Sequence, residues 1–215
     1  EVKGLVAFDL DRTLLRGSTV EAVANRKGFE AELALLRRKL EHGKLPDYAV
    51  SRALAKHLQG MRRGELVGLS GDLEFTPNAE RVVEKLKERG YKVVIISSAY
   101  APAAAKYAEK LGVDEWVCAQ LEEKDGVFTG EVKREPTPRS GCRVHGGEGC
   151  KAAILKRLAK KYEVSVSDCI AVGDAIGDAC MLKAAGTGLA YGGDPKMARY
   201  ASAAIANLAE VLLYV

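Results

Sequence analysis

The sequence predicts an α/β fold: a parallel sheet with helices on both faces and a small helical insertion after the first strand. Three observations carry this. Short apolar runs at residues 5–8, 93–96, 169–172 and 188–191 have the length of buried strands. Stretches with helical spacing of apolar residues lie between most of them, and repeated strand-helix alternation means a parallel sheet covered on both faces. Residues 16 to about 76, by contrast, carry only helical patterns.

The first strand, 5–8, delivers Asp9 and Asp11 at its end. Side chains two apart on a strand point the same way. Two acids at the ligand-binding end of a parallel sheet are costly without a cation; taken alone, they could equally be ordinary turn residues. In the insertion, Val20, Val23 and Ala24, then Leu33, Leu36 and Leu40, then Val50, Leu54 and Leu58 recur at helical spacing, punctuated by Gly28, Gly43 and Gly60. Residues 77–90 form an amphipathic helix with Ala79, Val82, Val83 and Leu86 on one face. The strand 93–96 ends in Ser97-Ser98, and a helix follows over 102–111 with Gly112 as its stop. A strand at 115–119 leads through Asp125-Gly126 into 127–129, a hairpin expected to project from the sheet. Residues 133–149, with Pro136, Pro138, Gly141, Gly146, Gly147 and Gly149, form a loop long for a compact domain. Helices at 151–162 and 178–185 alternate with strands at 169–172 and 188–191, and an edge strand within 201–205 and a helix over 208–215 close the fold.

The 215 residues can bury a full core. The net charge of +4 is spread over interleaved acids and bases, which excludes a strong nucleic-acid patch. No apolar run approaches the roughly 20 residues that span a bilayer. Residues 5–8 are too short for a signal-peptide core and run into Asp9, so the chain is expected in the cytoplasm, with neither nucleic acid nor membrane as a partner. Amide side chains number five against 33 lysines and arginines, a bias of the hyperthermophilic kind. Five cysteines, an odd number, argue against a secreted disulfide framework, and Cys118 and Cys169 sit in apolar runs. Cys142 and Cys150 bracket His145 in the long loop, leaving three readings open: free thiols, a loop-closing disulfide, or a Cys-x2-His-x4-Cys metal site.

Three further positions suggest chemistry. Ser97 closes a strand just before a helix whose first turn carries Pro102, so a hydroxyl and backbone N–H groups converge where an anion would bind; a plain turn serine is the alternative. Lys151 opens a helix although the macrodipole disfavours a cation there, and such breaks of local rules are expected at functional sites. Gly173-Asp174 again puts an acid at the end of an apolar strand, with Asp178 four residues on, where it could also be a helix cap.

In order, Asp9-x-Asp11-x-Thr13, Ser97, Lys151 and Gly173-Asp174-x3-Asp178 resemble the four motifs of the haloacid dehalogenase superfamily, over nearly the whole chain. The likeness is greatest to its phosphoserine phosphatases, through the size of the insertion, the Asp125-Gly126 hairpin, Gly130-Glu131-Val132 and residues 181–186. The resemblance implies a Rossmann-like core over 1–15 and 77–215, a helical cap over 16–76, and a Mg²⁺-dependent phosphatase acting on a small-molecule phosphomonoester. It also implies roles. Asp9 is the nucleophile that forms an aspartyl-phosphate, Asp11 the general acid and base, and Ser97 with Lys151 the holders of the phosphoryl oxygens, with Ser98 beside them. Asp9, the Asp11 carbonyl and Asp174 are the Mg²⁺ ligands, supported by Asp178. Transfer to an acceptor alcohol, or a regulatory module without catalysis, are the alternatives. Two positions depart from the pattern. Gly177 stands where many relatives have Asn, and Ser18 where phosphoserine phosphatases carry Glu. Ser18 cannot supply a charge to a substrate ammonium; Glu21, one turn on, could replace it or be a solvated first-turn acid, and Arg52 is a candidate for the substrate carboxylate. The preferred substrate therefore need not be phosphoserine.

Overall fold

The computed structural model describes residues 2–137 and 142–215; Pro138 and Gly141, counted above in the long loop, lie outside them. Seven strands, β1 (Gly4–Phe8), β2 (Tyr91–Tyr100), β3 (Glu115–Lys124), β4 (Val127–Lys133), β5 (Cys169–Gly173), β6 (Thr187–Tyr191) and β7 (Ala203–Ile205), form one sheet in the order β4-β3-β2-β1-β5-β6-β7. Every neighbouring pair is parallel except β3 and β4. Helices α1 (Thr19–Lys27), α2 (Glu30–Glu41), α3 (Asp47–Ala55) and α4 (Arg63–Ser70) follow β1; α5 (Ala79–Glu88), α6 (Ala101–Leu111), α7 (Lys151–Lys161) and α8 (Ala179–Ala184) flank the sheet.

The two-residue period of β1 explains its central place. Val6 and Phe8 pack into one apolar cluster with Val82, Val83 and Leu86 of α5, while Leu5 and Ala7 join Ile154, Leu155 and Leu158 of α7 on the other face. All four strand residues are fully buried, so β1 has no polar face to offer water, and its polar groups begin only with Asp9.

The helices α1 to α4 leave and rejoin the sheet through two adjacent linkers. Leu15 and Phe75 form an antiparallel bridge, Arg16 N–H donates to the Glu74 carbonyl at 3.0 Å, and Thr76 N–H to that of Leu14 at 2.9 Å. The apolar faces of these helices, including Val23, Leu33, Leu54 and Leu66, close around Phe128 and Val132 of β4. The β3–β4 hairpin thus extends the sheet and lends it a buried aromatic whose removal from water is worth about 1.5–3 kcal/mol. Its turn has Asp125 at φ 53° and Gly126 at φ 79°, the paired left-handed conformation that matches the strand twist.

Several elements differ from the sequence expectation: β3 and β4 run on to Lys124 and Lys133, past the expected 119 and 129, because the two pair with each other along the hairpin. The strand β2 runs on through Ser97 and Ser98 to Tyr100, because residues 97–99 bulge: Ile96 pairs with Val117, but Tyr100 pairs with Ala119. The helix expected over 178–185 begins only at Ala179, since Asp178 is drawn inward by backbone N–H groups preceding it. The closing segment, Leu208–Leu213, is a 3₁₀ helix rather than an α-helix; with three residues per turn, Leu208 and Val211 both face the core. No helix among the described residues is long and apolar enough to cross a membrane.

Candidate active site

The carboxyl ends of β1, β2 and β5 meet at one pocket, where open α/β sheets hold ligands. Asp9, one residue past β1, is 7% exposed, and its Oδ1 accepts from Lys151 Nζ at 2.6 Å. The same ammonium donates to Asp178 Oδ1, also at 2.6 Å. Asp178 Oδ2 accepts from the backbone N–H groups of Asp174 (3.0 Å) and Ala175 (3.1 Å), which pins the turn after β5. This fold-back needs Gly173, whose Cβ, if present, would lie 2.4 Å from Asp178 Cγ. Asp174 Oδ1 accepts from Thr13 Oγ1 at 3.1 Å.

Asp9, Asp174 and Asp178 can thus bring three carboxylate oxygens within 4.8 Å of one another. Burial holds Asp9 well above the ordinary carboxylate range; Lys151 opposes the shift, and Asp178 and Asp174 add to it. Burial, then the Asp178 charge, pushes Asp174 up to about 6. Burial alone would lower the Lys151 ammonium, but Asp178 and Asp9 outweigh it and hold it charged. Both Asp178 oxygens are committed to the protein, whereas Asp9 and Asp174 each make their side-chain bond through Oδ1. A set of free carboxylate oxygens beside a buried ammonium fits a hard divalent cation.

After Asp9 the chain makes one wide turn, closed by Leu15 N–H on the Leu10 carbonyl, with Arg12 at φ 63°. The turn aims Asp11 at the start of α1, where its carboxylate accepts from Ser18 Oγ (2.7 Å) and Thr19 Oγ1 (3.0 Å). Ser18 is the N-cap of α1, accepting from Glu21 N–H at 3.2 Å. Ser97 is 5% exposed, and the bulge lets its Oγ accept from Ala99 N–H at 3.2 Å. Ser98 Oγ donates to Asp47 at 2.8 Å and accepts from Arg134 at 2.9 Å.

A cavity of about 180 Å³ brings together Asp9, Asp11, Ser18, Ser97, Ser98, Lys151, Asp174 and Asp178 under a wall from α2 and α3. Glu21 and Arg52 do not line it. Glu21 stands behind Arg12 and Arg37, paired with both, and it is those two arginines that face the cavity. Arg52 pairs with Glu148 at 2.7 Å and lies over the Tyr48 ring.

A haloacid dehalogenase-like hydrolase family model matches residues 6–183. The chain belongs to the haloacid dehalogenase-like hydrolases. The hydrolase is 31% identical over 215 residues to the phosphoserine phosphatase of Methanocaldococcus jannaschii, covering 99% of this chain and 98% of that one. It is 29% identical over 189 residues to that of Archaeoglobus fulgidus, spanning 88% of this chain but about half (52%) of the relative. A solved phospho-aspartyl intermediate analogue of phosphoserine phosphatase superposes with a TM-score of 0.83 at 30% identity over the full length of both chains. A substrate-bound phosphoserine phosphatase complex gives the same score at 29% identity over 100% and 99%. The hydrolase is thus an enzyme of the phosphatase kind, with the α/β fold of these neighbours.

Sequence reasoning missed Arg37, Asp47 and Arg134 as parts of this neighbourhood, and it placed Thr13 in the first motif without giving it a role. Asp47, 6% exposed at the start of α3, would be raised by burial, but Arg134 and His145 bring it down to about 2. Its partner Arg134 lies 87 residues away, a separation that no local pattern reports.

Proposed function

We propose that this hydrolase is a Mg²⁺-dependent phosphomonoesterase that works through an aspartyl-phosphate on Asp9 and acts on a small metabolite bearing a carboxylate, with phosphoserine the first candidate. The observation that carries this is Asp9 itself: a buried carboxylate at the sheet's central strand end, one oxygen held by Lys151 and the other unbonded by side chains. In this reading Asp9 Oδ2 attacks phosphorus in line. The P–O ester bond breaks, and Asp11 gives the leaving alkoxide a proton. In the second half-reaction Asp11 takes a proton from water, which attacks phosphorus; the Asp9–phosphate bond breaks and inorganic phosphate leaves. Ser97 and Lys151 hold the phosphoryl oxygens. Asp9, Asp174 and the Asp11 carbonyl would hold Mg²⁺, with Asp178 orienting them, and the ion would supply charge neutralisation of the phosphoryl group.

Because Asp11 is bonded to Ser18 and Thr19 at the start of α1, it must release them to reach an alkoxide. Residues 16–76 then act as a cap whose movement is tied to that of the acid. Glu21 is shared by Arg12 and Arg37, which leaves one guanidinium charge of that pair unmatched by it and suited to a carboxylate; Glu41, four residues after Arg37 and also lining the cavity, is the acid placed to meet an ammonium. A phosphate-release screen over metabolite monophosphates tests the substrate. The expected result is highest kcat/KM for phosphorylated acids such as phosphoserine, falling about tenfold or more in Arg37→Met, the loss of about 1.4 kcal/mol of charge-assisted bonding. A preference for uncharged sugar phosphates would refute it.

Cation binding is expected to weaken at low pH. The Asp174 proton must leave first, so affinity falls as pH drops through about 6. Calorimetric Mg²⁺ titration at pH 7.5 and pH 5 should show roughly a tenfold loss for each unit below that value; a flat profile would remove Asp174 from the ligand set.

A further inference from the structure

Near the active-site pocket, beginning one residue before Lys151, four side chains that the phosphatase reading does not use converge. Cys142, His145 and Cys150 come from the long loop, and Cys180 from α8, thirty residues further on. Their ligand atoms all lie within 4.8 Å of one another. Cys142 Sγ is 3.3 Å and Cys180 Sγ 3.5 Å from His145 Nδ1, and the Cys150 and Cys180 sulfurs are 4.0 Å apart. We propose that these residues form a structural Zn²⁺ site of the Cys₃His type that fastens the loop to the sheet domain.

The dimensions agree with the ion. Bonds of about 2.3 Å to sulfur and about 2.0–2.1 Å to nitrogen require tetrahedron edges of about 3.8 Å between sulfurs and about 3.6 Å from sulfur to nitrogen. A disulfide would need sulfurs at about 2.0 Å, and all five cysteines are free. Three thiols around one imidazole also exceed what a single disulfide can use. Soft thiolates select zinc over the hard cation of the carboxylate site, and four protein ligands leave no open position for catalysis.

His145 supplies an independent observation. It is fully buried, and its Nε2 is the one buried side-chain polar atom among the described residues without a hydrogen-bond partner. A metal on Nδ1 would fix the proton on Nε2, whose nearest carboxylate, Asp47 Oδ2, stands 3.9 Å away, one small shift from the carboxylate-histidine-metal order that orients ligating imidazoles. Access is also present: Cys142, Cys150 and Cys180 line a surface cleft together with Arg143, Lys156 and Lys183, whose charges offset three thiolates around a divalent ion.

The ion would organise more than the loop. Cys150 is the N-cap of α7, the residue before Lys151. Val144 O accepts from Asp47 N–H at 2.7 Å, Glu148 pairs with Arg52, and Gly146 lies against Pro46 and Tyr48, so the fastened loop is also a platform for α3.

Metal analysis of the intact purified protein tests the proposal. We expect about one Zn²⁺ per chain, retained through dialysis against Mg²⁺ and released in step with thiol modification by an organomercurial. Replacement by Co²⁺ should give thiolate-to-cobalt charge transfer in the near ultraviolet and the visible bands of a tetrahedral ion. Cys180→Ser should lose most of the zinc and unfold at lower temperature, while Cys169→Ala, outside the cluster, should keep its zinc. Metal content near zero after purification and after refolding with Zn²⁺ would overturn the proposal, as would a Cys142–Cys150 or Cys150–Cys180 disulfide in the isolated protein. The wild-type metal content and cobalt spectrum decide the matter even if Cys180→Ser fails to fold.

Discussion

Asp9→Asn should reduce phosphatase turnover by at least about a thousandfold, because under the proposed mechanism the substitution removes the attacking carboxylate and a cation ligand in one step. The fold should survive. Asp9 carries a desolvated charge whose burial opposes ionisation, so a neutral amide of the same size relieves that cost while losing the ionic bond to Lys151. The expected pair of results is therefore a cooperative unfolding transition within a few degrees of wild type and no burst of phosphate release. Measurable turnover above one per cent of wild type, in protein shown by mass spectrometry not to have deamidated, would remove Asp9 from the nucleophile's role.

Lys151→Met should be the most destabilising single change in the site, by roughly 3–5 kcal/mol near neutral pH, because it leaves Asp9 and Asp178 buried without their shared counter-charge. The loss depends on pH in a definite direction. A carboxyl held above its unfolded value by burial contributes stability that is fully present below that unfolded value and is lost as pH rises through its folded value. Asp9 is such a group, and removing Lys151 takes away the buried cation that opposes its shift. The variant should thus lie closest to wild type in urea denaturation at pH 5 and furthest from it at pH 7.5, without Mg²⁺. Equal deficits at both values would mean that Asp9 does not change its protonation between them.

What was legible in the sequence was what local patterns can encode. An apolar run followed at once by an acid marks both β1–Asp9 and β5–Asp174, and a lysine where the helix dipole disfavours one marks Lys151. Ser97 was visible as a hydroxyl near a helix start, but the bulge that carries it was not, since a bulge is a relation between β2 and β3. Arg52 was reasonable as a cation on an inserted helix; only the folded loop reveals Glu148 beside it. Glu21 has the helical position the sequence suggested, but the two arginines that hold it come from the turn after β1 and from α2. The spacing of Cys142, His145 and Cys150 raised a metal site as one of three readings, while Cys180 stayed unseen because α7 and β5 intervene before α8 returns to the loop.

The bridge between Leu15 and Phe75 has a consequence for how such a chain can change over evolutionary time. The points where residues 16–76 depart and return are one strand spacing apart. From the sheet's side they close like a hairpin, whatever lies beyond. Loop-closure entropy grows only as the logarithm of length, so doubling the intervening segment costs about 0.6 kcal/mol. The segment can therefore be lengthened or shortened at little entropic cost wherever its apolar face over Phe128 and Val132 and its bonds to Asp11 are kept, so the choice of alcohol can drift while the phosphoryl chemistry stays fixed.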